Sequence, residues 1–135
     1  MNIRELIESR VKSNPNKIYL FFEDQEITYQ EFDSNINKAA NGFLRLGIRK
    51  GDHFAVMLPN SPDWLYAWFG LNKIGAVQTA VNIRLKGPEL QYILKHSDVK
   101  GIVVSENYYP VFDSIRSSLP GLKLSQGLTS VITPT

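Results

Sequence analysis

The sequence contains no cysteine among its 135 residues, which excludes a disulfide framework and a thiolate metal site. It also carries little net charge: the formal value is +2, and the basic residues are dispersed along the chain. A nucleic-acid-binding surface requires clustered Lys and Arg, so we predict no nucleic-acid partner. No apolar run approaches the length of a transmembrane helix or of a signal-peptide core. We therefore expect a soluble, cytoplasmic protein without a transmembrane segment.

The composition that remains is that of one folded domain. Hydrophobic residues make up 43% of the chain and charged residues 21%, proportions that are typical of soluble globular proteins. A chain of this length can bury roughly two-thirds of its unfolded surface, which is enough for a hydrophobic core.

The first fifty residues predict a helix, a hairpin and a second helix. Apolar residues at helical spacing indicate a helix over residues 3–12. Two β-rich segments flank the polar turn Glu23–Glu26, which indicates a β-hairpin. Thr28 and Glu31 have the spacing of a capping box, and Gly47 is suited to end the helix that follows them.

From His53 onward, strands alternate with helices. The predicted strands cover residues 53–58, 76–81 and 101–104, and the predicted helices cover residues 62–74, 88–96 and 108–118. Three consecutive βα units imply parallel strands joined by right-handed crossovers. The predicted fold class is therefore α/β: a partial doubly wound, mostly parallel sheet with flanking helices, preceded by the N-terminal helix and the hairpin.

The predicted helix 62–74 is unusual because nearly all of its residues are apolar. A helix that is apolar all round belongs in an interior. The apolar side chains that together point in every direction are Trp64, Leu65, Tyr66, Trp68, Phe69 and Leu71. Either two layers bury this helix or part of its cover is missing. The few predicted strands leave little material for a second cover, so we expect the chain to be part of a larger unit. The aromatic side chains could also line a ligand pocket, although we prefer interior packing.

The last residues depart from this pattern. Residues 125–135 are mostly small and polar, at a point where an α/β chain would continue with a buried strand. We predict that residues 1–124 form the domain and that residues 125–135 form a disordered or non-native tail.

The loop Asn82–Gly87 is the segment whose residues alone suggest binding. It follows a predicted parallel strand and precedes a helix N-terminus, where α/β proteins bind ligands. Arg84 and Lys86 would present two cations suited to a phosphate group, although a merely solvated loop is the competing interpretation. His53 and His96 have no carboxylate partners at metal-ligand spacing. The sequence therefore indicates no catalytic residue and no metal site.

Four segments of the sequence resemble segments that occur in the same order in a known family. They are YQEF (29–32), LGIRKGD (46–52), VMLPNSPDWLYAWFGLNKIGAV (56–77) and VNIRLKGPELQYILKHSDVKGIVV (81–104). Together they are similar to the N-terminal part of the adenylate-forming, or AMP-binding, ligases, and most similar to the acyl-CoA synthetase branch. The resemblance covers residues 3–122.

This resemblance implies a two-step ligase reaction. A carboxylic or fatty acid attacks the α-phosphate of ATP to give an acyl-adenylate and pyrophosphate, and the thiol of coenzyme A then displaces AMP. ATP, Mg²⁺ and coenzyme A are the implied cofactors of the full-length enzyme. The phosphate-binding loop and the C-terminal catalytic domain of the family have no counterpart in this sequence. We therefore expect the isolated chain to be inactive and to bind none of the cofactors tightly.

The resemblance also implies one site residue. Arg84 occupies the place of an arginine that contacts the nucleotide phosphates of coenzyme A in some relatives. Ile83 stands where the family usually has proline, so we expect a less rigid loop.

A non-catalytic binding or assembly module with the same fold is the alternative. Such a module would cover its apolar helix by self-association, and we expect a homo-oligomer formed through exposed apolar surface.

Overall fold

The computed structural model describes residues 1–122 and 124–127. These residues form five α-helices and six strands. In chain order they are α1 (Ile3–Ser13), β1 (Ile18–Phe22), β2 (Gln25–Thr28), α2 (Tyr29–Arg45), β3 (His53–Met57), α3 (Pro62–Lys73), β4 (Val77–Ala80), α4 (Gly87–His96), β5 (Gly101–Val104), α5 (Tyr109–Ile115) and β6 (Leu124–Gly127).

Side-chain caps begin the first two helices. The Asn2 side chain accepts a hydrogen bond from the Glu5 N–H at 2.8 Å, and the Glu5 carboxylate accepts one from the Asn2 N–H at 3.1 Å. The predicted capping box of α2 is confirmed, since the Glu31 N–H donates to Thr28 Oγ1 at 3.2 Å and the Thr28 N–H donates to Glu31 Oε2 at 2.9 Å. These caps satisfy N–H groups that have no partner within the helix.

The strands form two sheets. β1 and β2 pair antiparallel as the predicted hairpin, while the other four strands form a parallel sheet in the order β4-β3-β5-β6. The chain steps from β3 to β4 and then returns past β3 to β5, so right-handed crossovers put helices on both faces. Phe54 and Val56 face the core on the side of α2 and α3, whereas Ala55 and Met57 face the core on the side of α4 and α5. The predicted doubly wound α/β class is confirmed.

The apolar helix α3 takes its cover from the chain's own N-terminal half. It contacts α1, and it packs along α2 in the most extensive contact between any two of the described helices. The ring centroid of Phe32, on α2, lies 5.3 Å from the ring centroid of Tyr66 and 5.5 Å from that of Phe69. Every residue of α3 is buried or half-buried, so the expectation of an uncovered second face is wrong. Helix packing rather than ligand lining therefore accounts for most of its aromatic surface.

The end of the chain differs in part from expectation. The predicted helix 108–118 consists of α5 between two 3₁₀ turns, Glu106–Tyr108 and Arg116–Ser118. β6 pairs parallel with β5, so residues 125–127 of the predicted tail belong to the sheet. Main-chain hydrogen bonds hold such an edge strand even where its sequence is polar. The rest of that prediction concerns residues 128–135, which lie outside the described part of the chain.

Candidate functional site

Three loops meet at the carboxyl edge of the parallel sheet. They comprise residues 58–61 after β3, residues 81–86 after β4 and residues 105–108 after β5. The strand order places these loops side by side. The crossover direction changes between β3 and β5, and open α/β sheets bind ligands at such a switch point.

The loop that carries Arg84 is held by its own side chains. Asn82 Oδ1 accepts a hydrogen bond from the Arg84 N–H at 2.9 Å, and the Asn82 carbonyl accepts one from the Leu85 N–H at 3.2 Å. Ile83 and Leu85 are half-buried against the core on the α4 side of the sheet. Ile83 thus anchors the loop to the core, and Arg84 is left exposed beside the sheet edge.

The start of α4 adds a second cation and a carboxylate to this loop. Lys86 is the N-cap residue, is exposed, and donates its N–H to Glu89 Oε2 at 3.1 Å. The positive end of the helix dipole and the cations Arg84 and Lys86 favour an anionic ligand. The negative charge of Glu89, in the first turn of α4, partly offsets this attraction. This balance suits a single phosphate contact better than a deep polyanion site.

The corner after β3 contains a carboxylate that the sequence pattern did not mark as a site residue. Ser61 Oγ accepts a hydrogen bond from the Trp64 N–H at 3.4 Å and donates one to the Pro59 carbonyl at 2.9 Å, which begins α3 as predicted. Next in the first turn, Asp63 is half-buried, and its burial raises the pKa of its carboxyl group. The feature of the sequence that could have identified Asp63 is an acidic residue in the first turn of a mostly apolar helix.

Ser105, at the end of β5, is the second group that sequence reasoning missed. Its N–H donates to the Met57 carbonyl at 3.3 Å, which joins the loop after β5 to the end of β3. Its hydroxyl oxygen is buried, and no described residue forms a hydrogen bond with it. A small polar residue directly after the buried segment GIVV was the available signal.

The described residues do not provide a metal site. Within residues 1–122, no group of three or more His, Asp or Glu side chains could hold a metal ion. His53 begins β3 at the opposite edge of the sheet, and His96 stacks on Tyr92 with ring centroids 5.5 Å apart. Among the helices described, none is both long and apolar enough to cross a bilayer.

Comparison with known proteins identifies the family. The family model described as AMP-binding enzyme matches residues 7–132, so the chain belongs to the AMP-binding enzyme family. This agrees with the resemblance of its four segments and with the fold.

Particular relatives are acyl-CoA ligases. The chain is 38% identical over 120 residues to the crotonobetaine/carnitine–CoA ligase of Salmonella paratyphi A, covering 85% of this chain and 23% of that protein. The solved anthranilate CoA ligase with anthranoyl-AMP has a TM-score of 0.87 and 30% identity, covering 93% of this chain and 24% of that one. The inhibitor-bound N-terminal domain of FACL13 from Mycobacterium tuberculosis has a TM-score of 0.88 and 30% identity, covering 96% and 34%. The chain thus spans about a quarter of the length of the curated relatives it matches, and it corresponds to part of their N-terminal domain.

Proposed function

We propose that this chain forms the N-terminal part of an ATP-dependent carboxylic acid–CoA ligase. The observation that supports this most is the AMP-binding enzyme match over residues 7–132. Relatives at 30% identity or more are named as CoA ligases, and one of their structures holds an acyl-adenylate, anthranoyl-AMP.

The proposed reaction has two balanced steps. The substrate carboxylate attacks the α-phosphate of ATP, forming an acyl–phosphate bond and releasing pyrophosphate. The thiol of coenzyme A then attacks the acyl carbonyl, loses its proton, and releases AMP with the thioester product. We place this chemistry in the cytoplasm, where ATP and coenzyme A are supplied, and we take the substrate to be a carboxylic acid such as a fatty acid.

Arg84 is the residue that we assign to coenzyme A. Its guanidinium is exposed at the carboxyl edge of the sheet, and the Asn82 turn fixes its backbone. A planar guanidinium can donate two parallel hydrogen bonds to one phosphate, which suits a contact with the nucleotide end of coenzyme A. The described residues do not fit Mg²⁺, because no cluster of oxygen ligands is present among them. The magnesium ion of the proposed reaction would therefore have other ligands in a longer enzyme.

The Arg84→Ala variant tests both the reaction and this assignment, in an enzyme that carries this chain as its N-terminal part. Pyrophosphate formation from ATP and the acid should be nearly unchanged, whereas the KM for coenzyme A should rise about tenfold. That is the lower end expected for one charge-assisted hydrogen bond, because Arg84 is exposed. Arg45→Ala, an exposed arginine at the end of α2, is the matched control.

Two other outcomes of this experiment have distinct meanings. Equal loss in both half-reactions would refute the coenzyme A contact and assign Arg84 to folding. Failure of the unmodified enzyme to release pyrophosphate with any carboxylic acid would refute the ligase proposal itself.

The non-catalytic module is not favoured, since the relatives are ligases. Self-association of the isolated chain is a separate proposal, which we retain on the basis of exposed apolar side chains. Phe21 is 70% exposed, Tyr92 64% and Val77 44%. These side chains, rather than α3, are the apolar surface that a second copy could cover.

A further inference from the structure

β4 is an edge strand of four residues, and apart from this short length it carries none of the usual protection against pairing. Its sequence, Val77-Gln78-Thr79-Ala80, contains no charged residue and no proline, and it pairs with β3 without a register shift. Natural edge strands are usually protected by lysine, proline or a bulge, because their free main-chain groups attract another strand. Among the described strands, none lies on the outer side of β4.

The hydrogen bonds of β4 show which main-chain groups face outward. The Val77 N–H donates to the Asp52 carbonyl at 2.8 Å, and the Val81 N–H donates to the Val56 carbonyl at 2.9 Å. Since main-chain groups alternate in direction along a strand, Val77 and Val81 face β3, whereas Gln78 and Ala80 present their N–H and C=O groups outward.

We propose that a second copy of this chain pairs antiparallel with β4, with the two Thr79 residues facing each other across a two-fold axis. In this register, Gln78 forms a hydrogen-bonded pair with Ala80 of the second copy, and the symmetry repeats both hydrogen bonds. The two four-stranded parallel sheets then become one continuous sheet.

The side chains of β4 fit a copy of the same strand. Val77, which is 44% exposed, would lie opposite Val81 of the second copy and become covered. Thr79 would meet Thr79, a cross-strand pair that is favourable for β-branched residues. Because the strand is uncharged, no like charges face each other across the axis. This interface deepens the proposed self-association, and it does not depend on the ligase reaction.

The mass of the purified chain in solution tests the proposal. Light scattering after size exclusion at about 100 μM should give twice the monomer mass of 15.3 kDa. Thr79→Lys and Thr79→Glu should each give monomers, because each places two like charges across the axis. An equimolar mixture of the two variants should restore the dimer, since opposite charges then face each other.

Further variants separate pairing from folding. Ala80→Pro removes an outward N–H without removing a hydrogen bond to β3, so it should also give a monomer with unchanged far-ultraviolet circular dichroism. Tyr92→Lys, which adds a charge on the exposed face of α4, should leave the dimer intact. In the wild type, amide hydrogen exchange at Gln78 and Ala80 should slow as the protein concentration rises.

The outcomes distinguish the interface from self-association in general. A monomeric wild type at every concentration would overturn both. A dimer that survives Thr79→Lys and Ala80→Pro would place self-association elsewhere and overturn the β4 interface. A dimer lost in both variants but not restored in the lysine–glutamate mixture would also contradict the antiparallel register centred on Thr79.

Discussion

At the scale of single residues, Asp52 joins the loop before β3 to the start of β5. Its Oδ2 accepts hydrogen bonds from the Arg49 N–H at 2.7 Å and from Lys100 Nζ at 3.1 Å. Lys100 Nζ also donates to the Gly47 carbonyl at 2.9 Å. The hydrogen bond from Arg49, followed by the bond from Lys100, lowers the pKa of the Asp52 carboxyl group. These contacts lie at the edge opposite the candidate site, so they serve stability.

Asp52→Asn should therefore destabilise the protein in a pH-dependent way. A carboxylate whose pKa is lower in the folded state stabilises that state above the unfolded pKa, which is about 4, and loses this contribution as the pH falls through the folded pKa. The variant should thus be less stable at pH 7, and its difference from wild type should shrink below about pH 4. Urea unfolding midpoints measured between these two conditions provide the check.

Asp24→Asn is the control for this titration. Asp24 is exposed in the turn between β1 and β2, so the substitution should have little effect at either pH. A stability difference for Asp52→Asn that stays constant with pH would assign the effect to lost geometry instead of charge.

At the scale of elements, the contact between α2 and α3 depends on Gly70. A Cβ atom at this position would lie 3.0 Å from Ala39 Cβ and 3.1 Å from the Ala40 backbone nitrogen. Both atoms are fixed to the α2 backbone, so a larger residue must push the helices apart. The small residues Gly70 and Ala39 thus allow the close approach that covers α3.

Gly70→Ala should destabilise the protein by about 1 kcal/mol, because overpacking outweighs the gain in helix propensity. Gly70→Val should cost more, since two further methyl groups enter the same contact. Gly121→Ala is the matched control, because no atom lies within 4 Å of its added Cβ. Chemical denaturation of the three variants measures the differences, and a stabilised Gly70→Ala protein would show that α2 can shift without cost.

Capping residues and hydrophobic patterns predicted most of the helices and strands. The packing of helices against one another could not be predicted in this way. The cap at Thr28, the N-cap at Ser61 and the buried strand Gly101–Val104 all occur where the pattern placed them. Their residues determine local geometry by themselves. The cover of α3 was mispredicted because it depends on how α1 and α2 fold back, which periodicity does not reveal.

The candidate site was predictable to a similar extent. The loop around Arg84 follows from strand and helix order, since that order alone places it at the carboxyl edge. Asp63 and Ser105 were missed because their significance lies in burial, which depends on the packing of neighbouring segments. A single polar residue after an apolar segment is so common in protein sequences that it does not by itself indicate a functional site.

At the scale of the whole molecule, the described residues form their own hydrophobic core, whereas the sequence does not contain the phosphate-binding loop that the proposed reaction requires. Two hydrophobic clusters cover both faces of the sheet, so the described part can fold around its own interior. The sequence nevertheless has no Ser/Thr/Gly-rich loop followed by lysine, and residues 1–122 hold no cluster of metal ligands. We therefore expect this chain to fold by itself without catalysing the proposed reaction.

The isolated chain should fold cooperatively yet release no pyrophosphate from ATP, because its sequence lacks the Ser/Thr/Gly-rich loop with lysine that we expect to bind the phosphates. The measurement combines a urea unfolding curve with a pyrophosphate assay containing ATP, Mg²⁺ and a series of carboxylic acids that includes carnitine, anthranilate and fatty acids. The positive control is a longer protein that carries this chain, and the negative control is the same purification from cells without the gene. A sigmoidal unfolding curve without turnover would support an autonomous folding unit that is not sufficient for the chemistry. Turnover that co-elutes with the homogeneous chain and is absent from the negative control would refute this prediction, and it would require a phosphate site within these 135 residues.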